Sequence, residues 1–201
     1  MCGLDTIRRP CLLYSFGSRL DTTFEHAVRN RSGCEVHIWD PTVDVAKMAP
    51  LVEALGNTEY HNMGLGEPGK LDLPFEVQTL STIRGGLGHV GRHVDILKVD
   101  IEGSEWGALP PIFESIRNGT LTIGQLQLEI HTHNLRHWAG KSRLGFLSKF
   151  FGLAEEAGLL LFSKEGNHLG ACCRGYSCIE YSWVSEATAR QSFVATHCPD
   201  V

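Results

Sequence analysis

The sequence contains no apolar run that approaches the length of a membrane-spanning helix. Its opening residues, MCGLDTIRRP, lack the apolar stretch of a secretory signal. By this chain alone the expected compartment is cytoplasmic, with a secretory lumen the alternative if the natural chain carries an N-terminal extension. A basic excess is missing too. The 18 lysines and arginines stand against 23 aspartates and glutamates, a formal net charge of -5, which argues against a nucleic-acid partner. No internal repeat, low-complexity tract or linker divides the chain. What is there is 201 residues, 42% hydrophobic and 20% charged. That size and composition suit one globular domain over residues 1–201 with a substantial core.

Cysteine is present in an odd number, seven, and Cys172, Cys173, Cys178 and Cys198 crowd the C-terminal part. The expectation is free thiols in a reducing compartment. Disulfides in a secretory lumen are the rival reading. The glycosylation triplets Asn30-Arg31-Ser32 and Asn118-Gly119-Thr120 add only slight weight to that rival.

Strand and helix signals alternate. Apolar runs suited to strands are Cys11–Phe16, Cys34–Trp39, Glu59–Met63, Asp95–Val99, Ile123–Ile130, Leu159–Phe162 and Cys178–Trp183. Helical patterns fall at Thr22–Arg31, Val43–Leu55, Val77–Arg84, Ser104–Arg117 and Leu144–Ala157. Such alternation predicts a Rossmann-like, doubly wound α/β sheet. The last two strands have too little chain between them for a helical crossover and read as an antiparallel pair. Thr22-Thr23-Phe24-Glu25 reads as a capping box. Pro41 suits the first position of a helix, and Pro110-Pro111 should break or kink one. The hexad Gly86–Gly91 fits G-x-G-x-x-G literally, but it precedes a strand instead of following one, so it reads as a connection and not as a dinucleotide fingerprint.

The segment ILKVDIEGSEW, Ile96–Trp106, places a buried strand directly before Asp100, Glu102 and Glu105. Carboxylates gathered at a strand end are costly to bury, and ligands of open α/β sheets sit at that end. Together with CLLYSFGSRLDTTFE, GCEVHIWDPT and QLQLEIH, in that order, the segment resembles the signature of FkbM-type S-adenosylmethionine (SAM)-dependent methyltransferases, from about Cys11 to about Val184. The resemblance implies a class I methyltransferase-like fold, a mostly parallel seven-stranded sheet with one antiparallel strand. It implies SAM as cofactor and O-methylation of a hydroxyl on a small-molecule or glycan-like acceptor.

By the same resemblance Ser15, Phe16, Gly17 and Asp21 line the donor site, where a glycine lets the backbone approach a ligand and a helix N-terminus suits a carboxylate. The family commonly carries a second glycine two residues after the first, and here Arg19 stands in its place. Asp40, about 20 residues past the turn, is assigned the ribose hydroxyls; it also suits a helix cap. Asn62 and Met63 are placed near the adenine, and Asp100 near the reacting methyl group and the donor's amino-acid portion. Trp106 is expected to pack. The strand Gln125–His131 ends in Glu129 and His131, facing the same crevice. A hydroxyl is a weak nucleophile at neutral pH, and His131 has the ordinary pKa best suited to act as its base, with Asp100 and Glu129 in support. The grouping of His131, His133 and His137 with Glu129 matches no tight zinc spacing, so no metal is assigned. Two alternatives remain open: a non-catalytic binding domain of the same fold, which Arg19 favours, and a metal-dependent hydrolase built on the same carboxylates and histidine.

Overall fold

The strands anticipated from the apolar runs line up in one sheet. In the computed structural model the chain runs β1 (Leu12–Phe16), α1 (Thr23–Ser32), β2 (Glu35–Trp39), α2 (Val45–Leu55), β3 (Thr58–His61), β4 (Gly64–Leu65), β5 (Val77–Gln78), α3 (Leu80–Gly86), β6 (Val94–Val99), α4 (Glu105–Arg117), β7 (Ile123–His131), α5 (Leu135–Ala139), α6 (Arg143–Glu156), β8 (Leu159–Gly166), β9 (Cys178–Ser185) and α7 (Glu186–Arg190). The structure describes residues 3–4, 7–70, 72–132, 135–140, 142–167 and 177–190. His133, Cys172, Cys173 and Cys198 lie outside the described residues.

Seven strands form the main sheet in the order β3-β2-β1-β6-β7-β9-β8. All neighbours pair in parallel except β9, which runs antiparallel to both β7 and β8. The single reversed strand and the closing antiparallel pair are both as expected. β4 and β5 form a separate two-stranded pair. Part of the stretch read as helical from Val77 is thus strand, and α3 starts only after Thr79, whose hydroxyl accepts from the Thr82 N–H.

Both faces of the sheet are covered, which is why all five residues of β1, LLYSF, are buried. Side chains alternate along a strand. Leu12, Tyr14 and Phe16 join a large core with Leu97, Val99, Leu126, Trp106 and Phe113. Leu13 faces the other way, toward Val28, Val36, Ile38, Leu55 and Ile96. Each wholly buried leucine contributes about 1.5–3 kcal/mol relative to an exposed one. The chain winds from β1 toward β2 and β3 on one side and resumes at β6 and β7 on the other. The switch point of the sheet therefore lies between β1 and β6, where a ligand crevice opens at the strand tips.

Several local expectations are corrected. Thr22 makes no side-chain cap to α1. Instead Asp21 accepts from the Thr23 N–H and hydroxyl, and Glu25 is wholly buried, accepting from the Ser15 hydroxyl. Pro41 sits in a turn, and α2 starts at Val45 after the cap Asp44. Helix α4 runs through Pro110 and Pro111 without interruption, because Leu109, Ile112 and Phe113 around them are locked into the core. The free-thiol expectation fails for Cys11 and Cys34, which form a disulfide; Cys178 is likewise disulfide-bonded. The Gly86–Gly91 hexad spans the end of α3 and the loop before β6, as expected.

Candidate active site

A cleft of about 1070 Å³ opens at the carboxyl tips of the parallel strands. Its floor is the crossing of two chain segments. The Gly17 N–H donates to the Trp39 carbonyl (2.8 Å), and the Asp100 N–H donates to the Phe16 carbonyl (2.9 Å). Gly17 is left-handed (φ +81), and a Cβ there would lie 1.6 Å from the Asp100 carbonyl oxygen. Its lack of a side chain is thus required by the β1–β6 approach itself, whatever a ligand requires.

Asp40 holds the turn that follows. One carboxylate oxygen accepts from the Ser18 N–H (3.1 Å) and the Arg19 N–H (2.6 Å). The other accepts from the Thr42 N–H (2.9 Å) and hydroxyl (2.6 Å). Four bonds saturate a carboxylate, so the expected ribose acceptor is spent on its own loop. Arg19 adopts φ +54, the left-handed conformation that glycine takes without steric cost. The bond to Asp40 offsets part of that cost.

Phe16, Gly17, Asp21, Asp40, Asp100, Glu129 and His131 all line the cleft. Ser15 does not. Strand alternation turns it with Leu13 to the opposite face, where it meets Glu25. Asn62 does not either; its amide donates to the Val43 carbonyl (3.3 Å), tying the loop after β3 to the segment before α2.

The reacting end gathers residues from β6, β7 and α4. His131 Nδ1 lies 3.0 Å from Glu105, while its Nε2 lies 3.4 Å from Glu102 and 3.9 Å from Asp100. Burial pulls the imidazole pKa down, but the hydrogen bond to Glu105 and the charges of Glu105, Glu102 and Asp100 outweigh it and raise it to about 9. That shift favours the imidazolium at neutral pH, the form that donates a proton instead of accepting one. Asp100 goes the other way. Burial raises its carboxyl to about 7, with Lys98 opposing and Glu129 adding to the rise. Of these groups Asp100 has the pKa matched to proton transfer near neutrality. Glu129 accepts from the Asn167 amide (2.9 Å). Trp106 packs, as expected: it is buried, and its indole N–H donates to the His131 carbonyl (2.8 Å), fixing the end of β7.

Two contributors escaped the sequence reading. Lys98 donates to the Gly17 carbonyl (2.5 Å) and brings a cation into an acidic cleft. The signal was a lone lysine inside an apolar buried strand. Trp138, on the short helix α5, reaches the cleft by packing where Gly107 has no side chain, and a helix of five residues carries too little periodicity to be seen.

A family model described as a methyltransferase domain matches residues 1–185. The chain belongs to this methyltransferase family. The domain is 34% identical over 137 residues to "Probable methyltransferase-like protein 24" of Homo sapiens, covering 66% of this chain and 34% of that protein. The Rattus norvegicus protein of the same name is 32% identical over 139 residues, covering 66% of this chain and 35% of its own length. The methyltransferase domain thus spans about a third of the length of these curated relatives. Among solved structures it is similar to methyltransferase FkbM from Methylobacillus flagellatus KT, with TM-score 0.53 and 15% identity over 87% of this chain and 44% of that one. It is also similar to the Methanococcus jannaschii fibrillarin pre-rRNA processing protein, with TM-score 0.52 and 14% identity over 92% and 71%. These likenesses show the class I methyltransferase fold. The family match displaces the metal-dependent hydrolase reading and makes SAM the expected occupant of the cleft.

Proposed function

We propose that the domain binds SAM at the tips of β1, β2, β6 and β7 and methylates a hydroxyl oxygen of a small-molecule or sugar-like acceptor. The observation that carries this reading is the convergence of Asp100, Glu102 and Glu129 beside the Gly17 turn, at the switch point of a methyltransferase-family sheet. The residues fit such a donor. Carboxylates suit its sulfonium and ammonium charges, Lys98 suits its carboxylate, and Trp39 and Phe75 offer apolar wall for its base. The donor supplies an electrophilic methyl group when bound. Asp100 accepts the proton that the acceptor hydroxyl loses, its pKa held up for that task chiefly by burial, with Glu129 adding to the rise. His131 stays protonated, anchored on Glu105, and holds the Asp100 and Glu102 carboxylates in place. Asp40 acts by shaping the Ser18–Arg19 turn, so Asp40→Ala weakens donor binding through the loop.

A second reading is a binding domain without turnover. The saturation of Asp40 by its own loop, beside the bulky Arg19, favours it. Calorimetry with SAM, followed by transfer assays with labelled SAM and a panel of polyols and glycans, separates the two. The first reading expects one SAM site and a transfer rate that falls about 100-fold or more in Asp100→Asn, with a smaller change in donor affinity. Binding with no transfer to any hydroxyl acceptor supports the second. No heat and no thermal shift with SAM rejects both.

A further inference from the structure

A second group of chemistry-bearing side chains lies beyond the cleft, on the outer strands of the sheet. In the register of β2 and β3, His37 pairs with Glu59 and Trp39 with His61, so all four residues occupy one face. His37 Nδ1 and His61 Nε2 are 3.0 Å apart, and the Glu59 carboxylate lies 3.9 Å from the first and 4.0 Å from the second. Two ligands about 2.05 Å from a tetrahedral zinc ion are separated by about 3.3 Å. The three atoms therefore stand near the spacing such an ion imposes, with Glu59 a small side-chain swing away.

The tautomer of His37 follows from its other nitrogen. Nε2 lies 2.9 Å from Glu35, and Glu35 is itself paired with the Arg92 guanidinium (2.9 Å). A carboxylate held that way only accepts, so the ring hydrogen is on Nε2 and the lone pair on Nδ1 points at His61 and Glu59. A carboxylate gripping the far nitrogen is how metal-ligating histidines are commonly oriented. Access is also provided for. His37 is 2% exposed, His61 19% and Glu59 67%, so the cluster is open to solvent on the Glu59 side.

We propose that His37, His61 and Glu59 form a site for a zinc-class divalent transition-metal ion that clamps the edge strand β3 to β2. Imidazole and carboxylate ligands suit Zn²⁺, and geometry and availability set the choice among its neighbours. Trp39 stacks on both rings, with centroids 5.6 Å from His37 and 4.7 Å from His61, and also lines the cleft. The ion would thus lock one wall of the donor pocket from behind.

The test uses the full chain after chelation and dialysis, titrated with Zn²⁺ alone by calorimetry and with Co²⁺ alone by visible absorption. Expected are one equivalent bound, a tetrahedral-type Co²⁺ spectrum and a higher unfolding midpoint at saturation. Affinity falls at least about 10-fold in Glu59→Gln and further in His61→Gln, while Asp100→Asn, which alters the histidine–carboxylate cluster of the cleft, binds as wild type. Absence of binding overturns the proposal. So does binding that survives Glu59→Gln unchanged or is lost in Asp100→Asn. If His61→Gln does not fold, the exposed Glu59 position decides alone.

Discussion

Asp100 and His131 both hold protons that the unfolded chain releases earlier. Burial carries the Asp100 carboxyl from 3.8 to about 7. Between those values the folded state binds a proton that the unfolded state has lost, so this group lowers stability progressively as pH rises through the window. His131 is raised from 6.5 to about 9. Its stabilisation is complete below 6.5 and is lost as pH climbs to 9. Both signs agree, so the unfolding midpoint should be lower at pH 9 than at pH 6, and His131→Gln should flatten the alkaline part of that curve. A midpoint that rises from pH 6 to 9 contradicts the assignment. Arg19 supplies a second expectation. Arg19→Gly relieves a left-handed residue, and its stability in urea should be unchanged or up to about 1 kcal/mol higher, with tighter SAM binding as the side chain leaves the cleft. A loss above about 1 kcal/mol would show that the Arg19 side chain holds the loop. The sequence pointed to Asp100, Glu129 and His131 because charge at strand tips is conspicuous. It could not reveal the protonation of Asp100 and His131, since that depends on Glu105 arriving from α4 and on burial by the whole fold.

At the scale of elements, the disulfide between Cys11 and Cys34 ties the starts of β1 and β2 together, at the end of the sheet opposite the cleft. It closes a loop with a sequence separation of 23 residues, for which loop entropy gives about 3 kcal/mol. Replacing Cys11 and Cys34 by serine should lower stability in urea by roughly that amount while leaving SAM affinity within a few-fold; a large loss of affinity at full folding would place the bridge's influence in the site. Pairing of these two cysteines was not visible in an odd count of seven, because only the parallel register of β1 and β2 brings them together. The long strands and helices were legible from their periodicity. The capping of α1 was misread because Glu25, three residues after Thr22, is drawn into the core by the Ser15 hydroxyl. The pair β4–β5 and helix α5 were missed because elements of two to five residues show no period.

For the whole molecule, alternating apolar runs were enough to imply a doubly wound sheet, since both of its faces must be covered and both patterns survive in sequence. The seven strands with one reversed were implied by the family resemblance; the strand order, and with it the meeting of Gly17 with Asp100 and of Asp40 with Ser18, is visible only in the folded sheet. A cleft of about 1070 Å³ at the switch point, large against the usual range of ligand pockets, is the consequence on which the functional proposal rests. A smaller cavity of about 280 Å³, lined by Leu80, Arg84, Ile112 and Ser115, is the competing location. The most direct test is a crystal structure with S-adenosylhomocysteine. The expected result places its sulfur beside Asp100, its amino-acid portion against the Gly17 turn and its base near Trp39. Product bound in the smaller cavity, or bound with Asp100 remote from the sulfur, would contradict it.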